Sequence, residues 1–326
     1  MAQSPAELAE QLQNPVSSLT RAELENRWDF RMGPLDQGTR YTLDFLPVIP
    51  VSLGRDWNLI VRTDVPYISQ EDVLKGVQGS LPDSLDLTPP VRPGVPIFRE
   101  EPVFVAPGIV GTRKVLVGFT SNPGYEQELR RQKKLRAAYA KAVKRLRSID
   151  HHQDGLGDIT QSFLFSPKNP TSCGFAWGAG PALRFPAATD DLLGSGKWCA
   201  GPEAVALRQS DGWTYGVRAT HLWSYAGDED RRSVNATFID PFFSYTFRSG
   251  TTFGVDMDSA YDWSDSQWFV PLNATISQVV TVGRQAVSFS VGARYTAEGP
   301  SSAGEWGLSA SVSLLFPSRA EAANLK

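Results

Sequence analysis

From Leu24 to Phe316, with one long interruption, the chain switches between apolar and polar residues with period two. Val287, Phe289, Val291, Ala293 and Tyr295 alternate with Ser288, Ser290, Gly292 and Arg294. Trp306, Leu308, Ala310, Val312, Leu314 and Phe316 alternate with Gly307, Ser309, Ser311 and Ser313. Period two is the signature of a β-strand whose two faces meet different surroundings. The segments run about ten to fourteen residues, and several end in Trp or Tyr. A tilted strand crossing a bilayer needs roughly 9–11 residues and anchors itself with interfacial aromatics.

Twelve such segments lie near 24–32, 38–49, 55–67, 157–166, 173–185, 196–208, 212–225, 234–248, 251–263, 267–281, 285–297 and 305–316. The pattern predicts an all-β fold, a twelve-stranded antiparallel transmembrane β-barrel, and twelve satisfies the even-number habit of bacterial single-chain barrels. Gly54-Arg55-Asp56, Ser210-Asp211-Gly212, Arg248-Ser249-Gly250 and Val282-Gly283-Arg284 read as tight hairpin turns. Longer polar links lie between them at 186–195, 226–233, 264–266 and 298–304, although 33–37 is short and 167–172 is long for its place. Short periplasmic turns and longer outer loops put both termini in the periplasm. Trp198, Trp223, Trp263, Trp268 and Trp306 fall beside the longer links, and Trp57 and Trp213 beside the tight turns, as two girdles would. A soluble β-sandwich competes, but its strands are usually shorter, and it would not sort Trp by turn length.

Composition agrees with a barrel in the bacterial outer membrane. No run approaches the roughly twenty apolar residues of a spanning helix. Mean hydropathy is negative, as expected where half of each strand is polar. The formal net charge of −3 offers no basic field for nucleic acid, so none is expected as a partner. The chain opens Met-Ala-Gln-Ser-Pro without an apolar signal segment. A barrel must be exported, so this reads as a mature form with an added Met.

Several stretches resemble a known family. They are Tyr41-Thr-Leu-Asp-Phe-Leu-Pro-Val-Ile-Pro-Val-Ser-Leu-Gly-Arg-Asp-Trp-Asn-Leu-Ile, Gly155-Leu-Gly-Asp-Ile-Thr-Gln-Ser-Phe, Ala188-Thr-Asp-Asp-Leu-Leu-Gly-Ser-Gly-Lys-Trp, Trp213-Thr-Tyr-Gly, Val234-Asn-Ala-Thr-Phe, Tyr261-Asp-Trp and Gly292-Ala-Arg-Tyr. Together they resemble the MetA-pathway of phenol degradation family of outer-membrane barrels, whose bacterial members often carry a misleading neuromedin U label. The resemblance covers about 24–68 and 155–317. It implies an outer-membrane barrel with a transport role. It brings no assigned substrate, catalytic residue or cofactor. Aromatic or apolar solutes are suggested by the family's name alone.

The chain departs from that family between its third and fourth strands, where relatives have a brief link and this chain has residues 69–154. The insert is Pro-rich from Pro82 to Pro107 and carries a charge of about +4, against about −7 for the remainder. By the topology above it lies outside the cell. Val103–Val105 and Lys114–Phe119 suit a small hairpin. Glu126 to Ile149 reads as a helix with Leu129, Leu135, Tyr139, Val143, Leu146 and Ile149 on one face. Arg130, Arg131, Lys133, Lys134, Arg136, Lys141, Lys144, Arg145 and Arg147 crowd the rest. A basic amphipathic helix suits an anionic surface, here lipopolysaccharide phosphate. It also suits nucleic acid or another partner, a cap on the pore, or simply a solvated helix packed on the Pro-rich stretch. The domain plan is a periplasmic segment 1–23, a barrel 24–317, the extracellular insert 69–154 and a tail 318–326.

If the aromatic and aliphatic positions face lipid, the opposite parity faces inward. It holds Arg27, Asp29, Arg31, Arg40, Asp44, Arg62, Asp64, Asp158, Arg184, Glu203, Arg218, Asp240, Asp256, Asp258 and Arg294. Those from Arg40 onward are the candidate pore-lining residues. Interleaved signs favour pairing, either along a working pore or simply to hold the wall together. Twelve strands lie between filled eight-stranded barrels and open porins, so the free bore is small. Pro5–Gln13, with Ser4 as N-cap and Asn14-Pro15 as stop, reads as a short helix that either enters the lumen as a plug or hangs free.

No catalytic residue, cofactor or metal is predicted. His221, in Ala-Thr-His-Leu-Trp-Ser, shares the lipid-facing parity of Trp223. His151-His152, near Asp150 and Asp154, lack specific metal-ligand spacing. Asp190-Asp191, Asp228-Glu229-Asp230, Asp262 and Asp265 gather at the outer rim, to share divalent cations with lipopolysaccharide or to keep the loops soluble. Cys173 and Cys199 fall at opposite ends of neighbouring strands, too far apart for a disulfide. The expected function is an outer-membrane channel or transporter for a small solute. The alternatives are a surface-binding or structural protein whose insert is the working part, and a lipid-modifying enzyme. The partners expected are outer-membrane lipid, lipopolysaccharide and the solute.

Overall fold

The computed structural model describes residues 3–73, 96–106, 109–119, 152–300 and 302–317. In chain order the elements are α1 (Pro5–Leu12), β1 (Thr20–Met32), β2 (Gly38–Leu53), β3 (Trp57–Glu71), β4 (Pro96–Ala106), β5 (Ile109–Phe119), β6 (His152–Leu156), β7 (Ile159–Pro167), β8 (Phe175–Phe185), β9 (Lys197–Ser210), β10 (Trp213–Gly227), β11 (Asn235–Thr246), β12 (Thr251–Met257), β13 (Ser259–Asp262), β14 (Gln267–Val282), β15 (Gln285–Glu298) and β16 (Trp306–Phe316). They fall into two units, residues 1–73 with 152–326, and residues 74–151.

The first unit is a closed barrel. Neighbouring strands pair antiparallel, and β16 returns to β1 from Thr20↔Phe316 to Phe30↔Trp306. β6 and β7 make one crossing, interrupted at 157–158, and β12 and β13 make another, interrupted at Asp258. Twelve crossings result, the number expected from the alternation. Traced around the ring, the registers stagger by about fourteen residues, which for ~4.8 Å between strands and ~3.3 Å per residue gives a tilt of roughly 40° and a Cα radius of roughly 12 Å.

The outward face is apolar. All nine Trp lie on it, between 38% and 56% exposed. At the loop end Phe30 stacks on Trp306 at 4.5 Å, and Tyr261 meets both Trp263 and Trp268 at 4.8 Å. At the turn end Trp57 meets Trp177 at 5.9 Å and Trp213 meets Tyr245 at 4.5 Å. Between the girdles stand Leu24, Val217, Ile276, Val291 and Val312, all exposed. A continuous apolar surface of this kind belongs in hydrocarbon rather than water. The few polar groups facing outward satisfy one another. Tyr41 donates to Asn26 at 2.7 Å, and Thr63 donates to Gln161 at 2.8 Å.

Both chain ends of the barrel lie at the end where the connections are shortest. Asp211 and Gly212 occupy one of these turns with φ of 53° and 84°, the left-handed pair of a type I′ hairpin. The strands also contain prolines, which central strands normally exclude. Pro181 and Pro202 stand directly opposite each other in β8 and β9. Each follows a glycine. A side chain on Gly180 would collide with the Phe163 carbonyl, and one on Gly201 with the His221 carbonyl. Carbonyls that proline cannot serve are thus drawn against glycine Cα, where a weaker C–H contact substitutes.

Two expectations need correction. The ladder shifts between Phe30 and Met32, and Arg31 takes φ of 58°. This bulge turns Arg31 out of the interior to the rim, where it pairs with Glu305 at 2.8 Å. Cys173 precedes β8 and sits in the turn, 3.1 Å from Thr171 Oγ1. Hydrogen bonds from Thr171 and then from the backbone hold its thiol below the usual range. Cys199 is buried opposite Arg184, and both cysteines are free.

The second unit contains an antiparallel hairpin of β4 and β5, running from Pro96↔Phe119 to Ala106↔Ile109. It covers the stretches from which a hairpin is expected. The basic helix expected over 126–149 lies outside the described residues.

The belt makes a parity prediction. Val291 points outward from the middle of β15. Val291→Arg should lower stability in lipid vesicles by about 2–4 kcal/mol, whereas Ser290→Arg, one residue away and facing inward, should cost clearly less. Equal costs in urea titrations would contradict the assigned faces.

Candidate functional site

Strand parity decides what the barrel encloses, and the enclosed residues form three levels. Nearest the turns the wall carries two apolar clusters, with Thr214, Thr246 and Thr252 buried on the strands between them. Val48, Ile60, Leu164, Val205 and Leu207 are buried in one cluster, with Ala176 and Phe242 against them. Val279, Ala286 and Leu315 belong to a second. The partners of both come from the N-terminal segment. Leu8, Ala9 and Leu19 complete the second cluster, and Val16 the first.

The segment is built to sit there. Ser4 caps α1 reciprocally with Glu7, its Oγ accepting from Glu7 N at 3.2 Å while Glu7 Oε2 accepts from Ser4 N at 2.8 Å. Gln209 Nε2 donates to the Glu10 carbonyl at 2.8 Å, and Gln209 Oε1 accepts from Asn14 at 3.1 Å. Arg21 donates to the Leu12 carbonyl at 2.9 Å. Burial, with Glu7 and Asp211 nearby, pushes the Glu10 carboxyl up. A charged Glu10 therefore works against this position, and docking strengthens as pH falls.

The middle level is charged. Arg27 pairs with Asp44 at 2.6 Å. Arg218 places Nε and Nη2 on one Asp240 oxygen at 2.8 and 2.6 Å. Arg294 donates to Asn273 at 2.8 Å and pairs with Asp258 at 3.1 Å and Asp29 at 3.8 Å. The Asn273 amide donates in turn to Asp256 at 2.7 Å and Asp258 at 3.0 Å. Glu203, 4% exposed, accepts from Ser162 at 2.5 Å. A cavity of about 200 Å³ opens beside these groups, lined by Glu25, Arg27, Asp29, Asp256, Asp258, Asn273, Thr275, Arg294 and Ser309. Its lining holds four carboxylates and two guanidinium groups.

Nearer the loops, Arg40 donates twice to Gln70, at 3.0 and 2.7 Å, and Gln70 donates to Gln153 at 3.0 Å. Asp158 accepts from the Ser195 amide and hydroxyl at 2.7 and 2.6 Å. Arg184 lies over the Phe238 ring, 5.3 Å from its centroid.

The structure thus joins Arg218 to Asp240, and Arg294 to Asp258 with Asp256 nearby. Asp44 is joined to Arg27, while Arg40, Asp158, Arg184 and Glu203 contact uncharged groups. For Arg62 and Asp64 no ion pair occurs among the described residues. Asp64 Oδ1, Asp158 Oδ1 and Glu203 Oε1 are buried there without a hydrogen-bond partner. The uncharged members of the network, Ser162, Asn273, Gln70 and Ser195, carry no charge to draw notice in the sequence. Inward parity is the only sign of Ser162 and Asn273, while Gln70 and Ser195 fall in the stretches that read from sequence as the insert 69–154 and the link 186–195, where no parity marks them.

The rim carboxylates have local partners. Asp262 and Asp265 both pair with Arg232, the first at 3.0 Å. Arg231 donates to the Gly194 carbonyl of the preceding link. His221 shares a hydrogen bond with Thr237 at 2.7 Å and packs on Trp223 at 4.1 Å, at girdle level. His152 lies 3.5 Å from Asp154, and His151 is outside the described residues, as are Arg130, Arg131, Lys133, Lys134, Arg136, Lys141, Lys144, Arg145 and Arg147.

Glu203 offers a test of the buried network. Ser162→Ala removes the hydroxyl from a buried carboxylate and should cost about 1–3 kcal/mol. The loss should shrink in a Glu203→Gln background, where no charge is left stranded. Equal losses in both backgrounds would place Glu203 in contact with water.

No protein-family model matches this sequence, and no curated protein sequence matches it. Solved structures do. The COG4313 outer membrane channel from Pseudomonas putida F1 superposes with a TM-score of 0.56 and 10% identity, over 92% of this chain and 96% of that one. Outer membrane phospholipase A from Escherichia coli gives 0.38 and 8%, over 97% and 99%. OccAB3 from Acinetobacter baumannii gives 0.34 and 8%, over 91% and 98%. The likeness to the first is one of architecture. With its closed twelve-strand wall, apolar belt and paired girdles, this chain is a β-barrel protein of the bacterial outer membrane.

Proposed function

We propose that this protein is an outer-membrane channel for small solutes, with both termini in the periplasm and the charged middle level as its path. The observation that carries the reading is that level itself. Desolvating ion pairs is costly, and apolar packing of similar volume is often equal or better for stability. A wall serving only as an anchor gains little from Arg27–Asp44, Arg218–Asp240 and the Arg294 cluster. A path for polar groups needs them. The sequence resemblance supports the same reading and is the ground for expecting aromatic or apolar solutes. The apolar clusters nearest the turns give such a solute a second surface.

A second reading has its own support. The N-terminal segment fills the turn end, as suits a barrel that anchors a working surface. In that reading residues 69–154 lie outside the cell, and the cations from Arg130 to Arg147 meet lipopolysaccharide phosphate.

Planar-bilayer recording separates the two. The channel reading expects discrete conductance steps with a preference for cations, since carboxylates outnumber guanidinium groups around the cavity. Arg62→Gln and Arg218→Gln should each move the reversal potential further toward cations. An open channel indifferent to both would take these residues off the path, and no conductance would favour the anchor.

Topology has a separate test. Protease added to intact cells should cut between Arg130 and Arg147 and leave the barrel whole. Cleavage that waits for a permeabilised outer membrane would invert the proposed orientation.

A further inference from the structure

We infer that residues 3–19 are a displaceable stopper of the periplasmic mouth, and that the channel opens when they withdraw. The inference rests on the channel reading above and adds a gate to it.

The dimensions fit. A wall of roughly 12 Å Cα radius, less inward side chains reaching ~5–6 Å from each side, leaves a gap close to the ~10–12 Å width of one helix. The segment also spans that gap. α1 packs on β14 and touches β11 and β12, and it shares a cluster with Val279, Ala286 and Leu315, while Val16 shares one with Val48 of β2, Ile60 of β3, Leu164 of β7 and Leu207 of β9. These strands stand on both sides of the ring, so the segment crosses the mouth instead of lining one side.

The wall is shaped to receive it. Gly178 of β8 faces inward, and a Cβ there would lie 2.9 Å from Val16 Cγ1. The missing side chain is the space that Val16 fills. Gln209 acts as a latch, holding Asn14 through its oxygen and the Glu10 carbonyl through its nitrogen.

Withdrawal costs the barrel none of its ladder. The β1–β16 closure begins at Thr20, so every wall hydrogen bond survives without the segment. Detached, an eight-residue helix is too short to hold itself. Docking and folding of the segment are therefore one event, as a two-position gate requires.

The full-length protein in planar bilayers tests this. Val16→Cys with Gly178→Cys, in a Cys173→Ser, Cys199→Ser background, ties the stopper to the wall. Oxidation should cut openings at least tenfold, and reductant should restore them. Removing residues 3–17 should hold the channel open, with a several-fold larger steady conductance and unchanged heat-modifiability on gels. Gln209→Ala, which loosens the latch alone, should lengthen the open time. Oxidised and reduced protein conducting alike, or the shortened and latch variants matching the parent, would overturn the gate and leave the channel standing. If even the shortened barrel passes no current, the channel reading falls and the gate with it.

Discussion

In hydrocarbon, a backbone N–H or C=O without a partner costs several kcal/mol. The closure of β1 on β16 is what discharges that cost for the whole molecule. Without it, two strand edges would lie open in the membrane. With it, every crossing of the barrel has two neighbours and each of its side chains has only two places to go, lipid or interior. The period-two pattern is the direct result. The constraint is strict enough to show where it is bent. Pro181 and Pro202 each remove a donor in mid-wall, and in both cases the residue before is a glycine that lets the orphaned carbonyl approach. Pro271 lies where the β14–β15 register shifts. At these three positions local geometry makes up for the missing donor.

Closure also fixes the character of the interior. Polar parity is forced inward, away from lipid, into a space too narrow to hydrate every charge freely. The result is pairing across neighbouring strands, as in Arg218–Asp240, or through an intermediary, as where Asn273 joins Asp256, Asp258 and Arg294. Near the turns two apolar clusters line the interior instead, and their partners come from the chain's own N-terminus. One parity rule therefore yields two kinds of interior surface.

Much of this was legible in the sequence, because strand alternation is local. The twelve crossings, the tight turns and the outward Trp all follow from residues close together in the chain. The inward charges follow from the same parity. What escaped depends on contacts between distant segments. Nothing near Glu203 announces that Ser162, forty-one residues away, donates to it. Nothing in Phe-Ala-Trp-Gly announces that Gly178 is small for the sake of Val16. The bulge that expels Arg31 is a one-residue slip that alternation cannot foresee. From sequence the rim carboxylates read as cation ligands shared with lipopolysaccharide or as loop solubility, and nothing near Asp262 announces that Arg232 ties it to Asp265.

The two faces of the wall answer to different demands, and this bears on what a shared fold can say. The outward face must be apolar and the ladder must close, and many sequences meet both conditions. That is why a channel only 10% identical can share the architecture. The inward face carries no such requirement beyond being satisfied, so it is free to differ from barrel to barrel. What distinguishes this barrel is therefore written in the inward residues of this chain and not in its likeness to other barrels. Those residues put carboxylates in excess around the cavity, guanidinium groups held by carboxylates beside them, and apolar clusters below. In the channel we propose, a molecule that passes trades contacts with the charged level for contacts with those clusters, and a solute with one polar end and one apolar end makes that exchange at the least cost in desolvation.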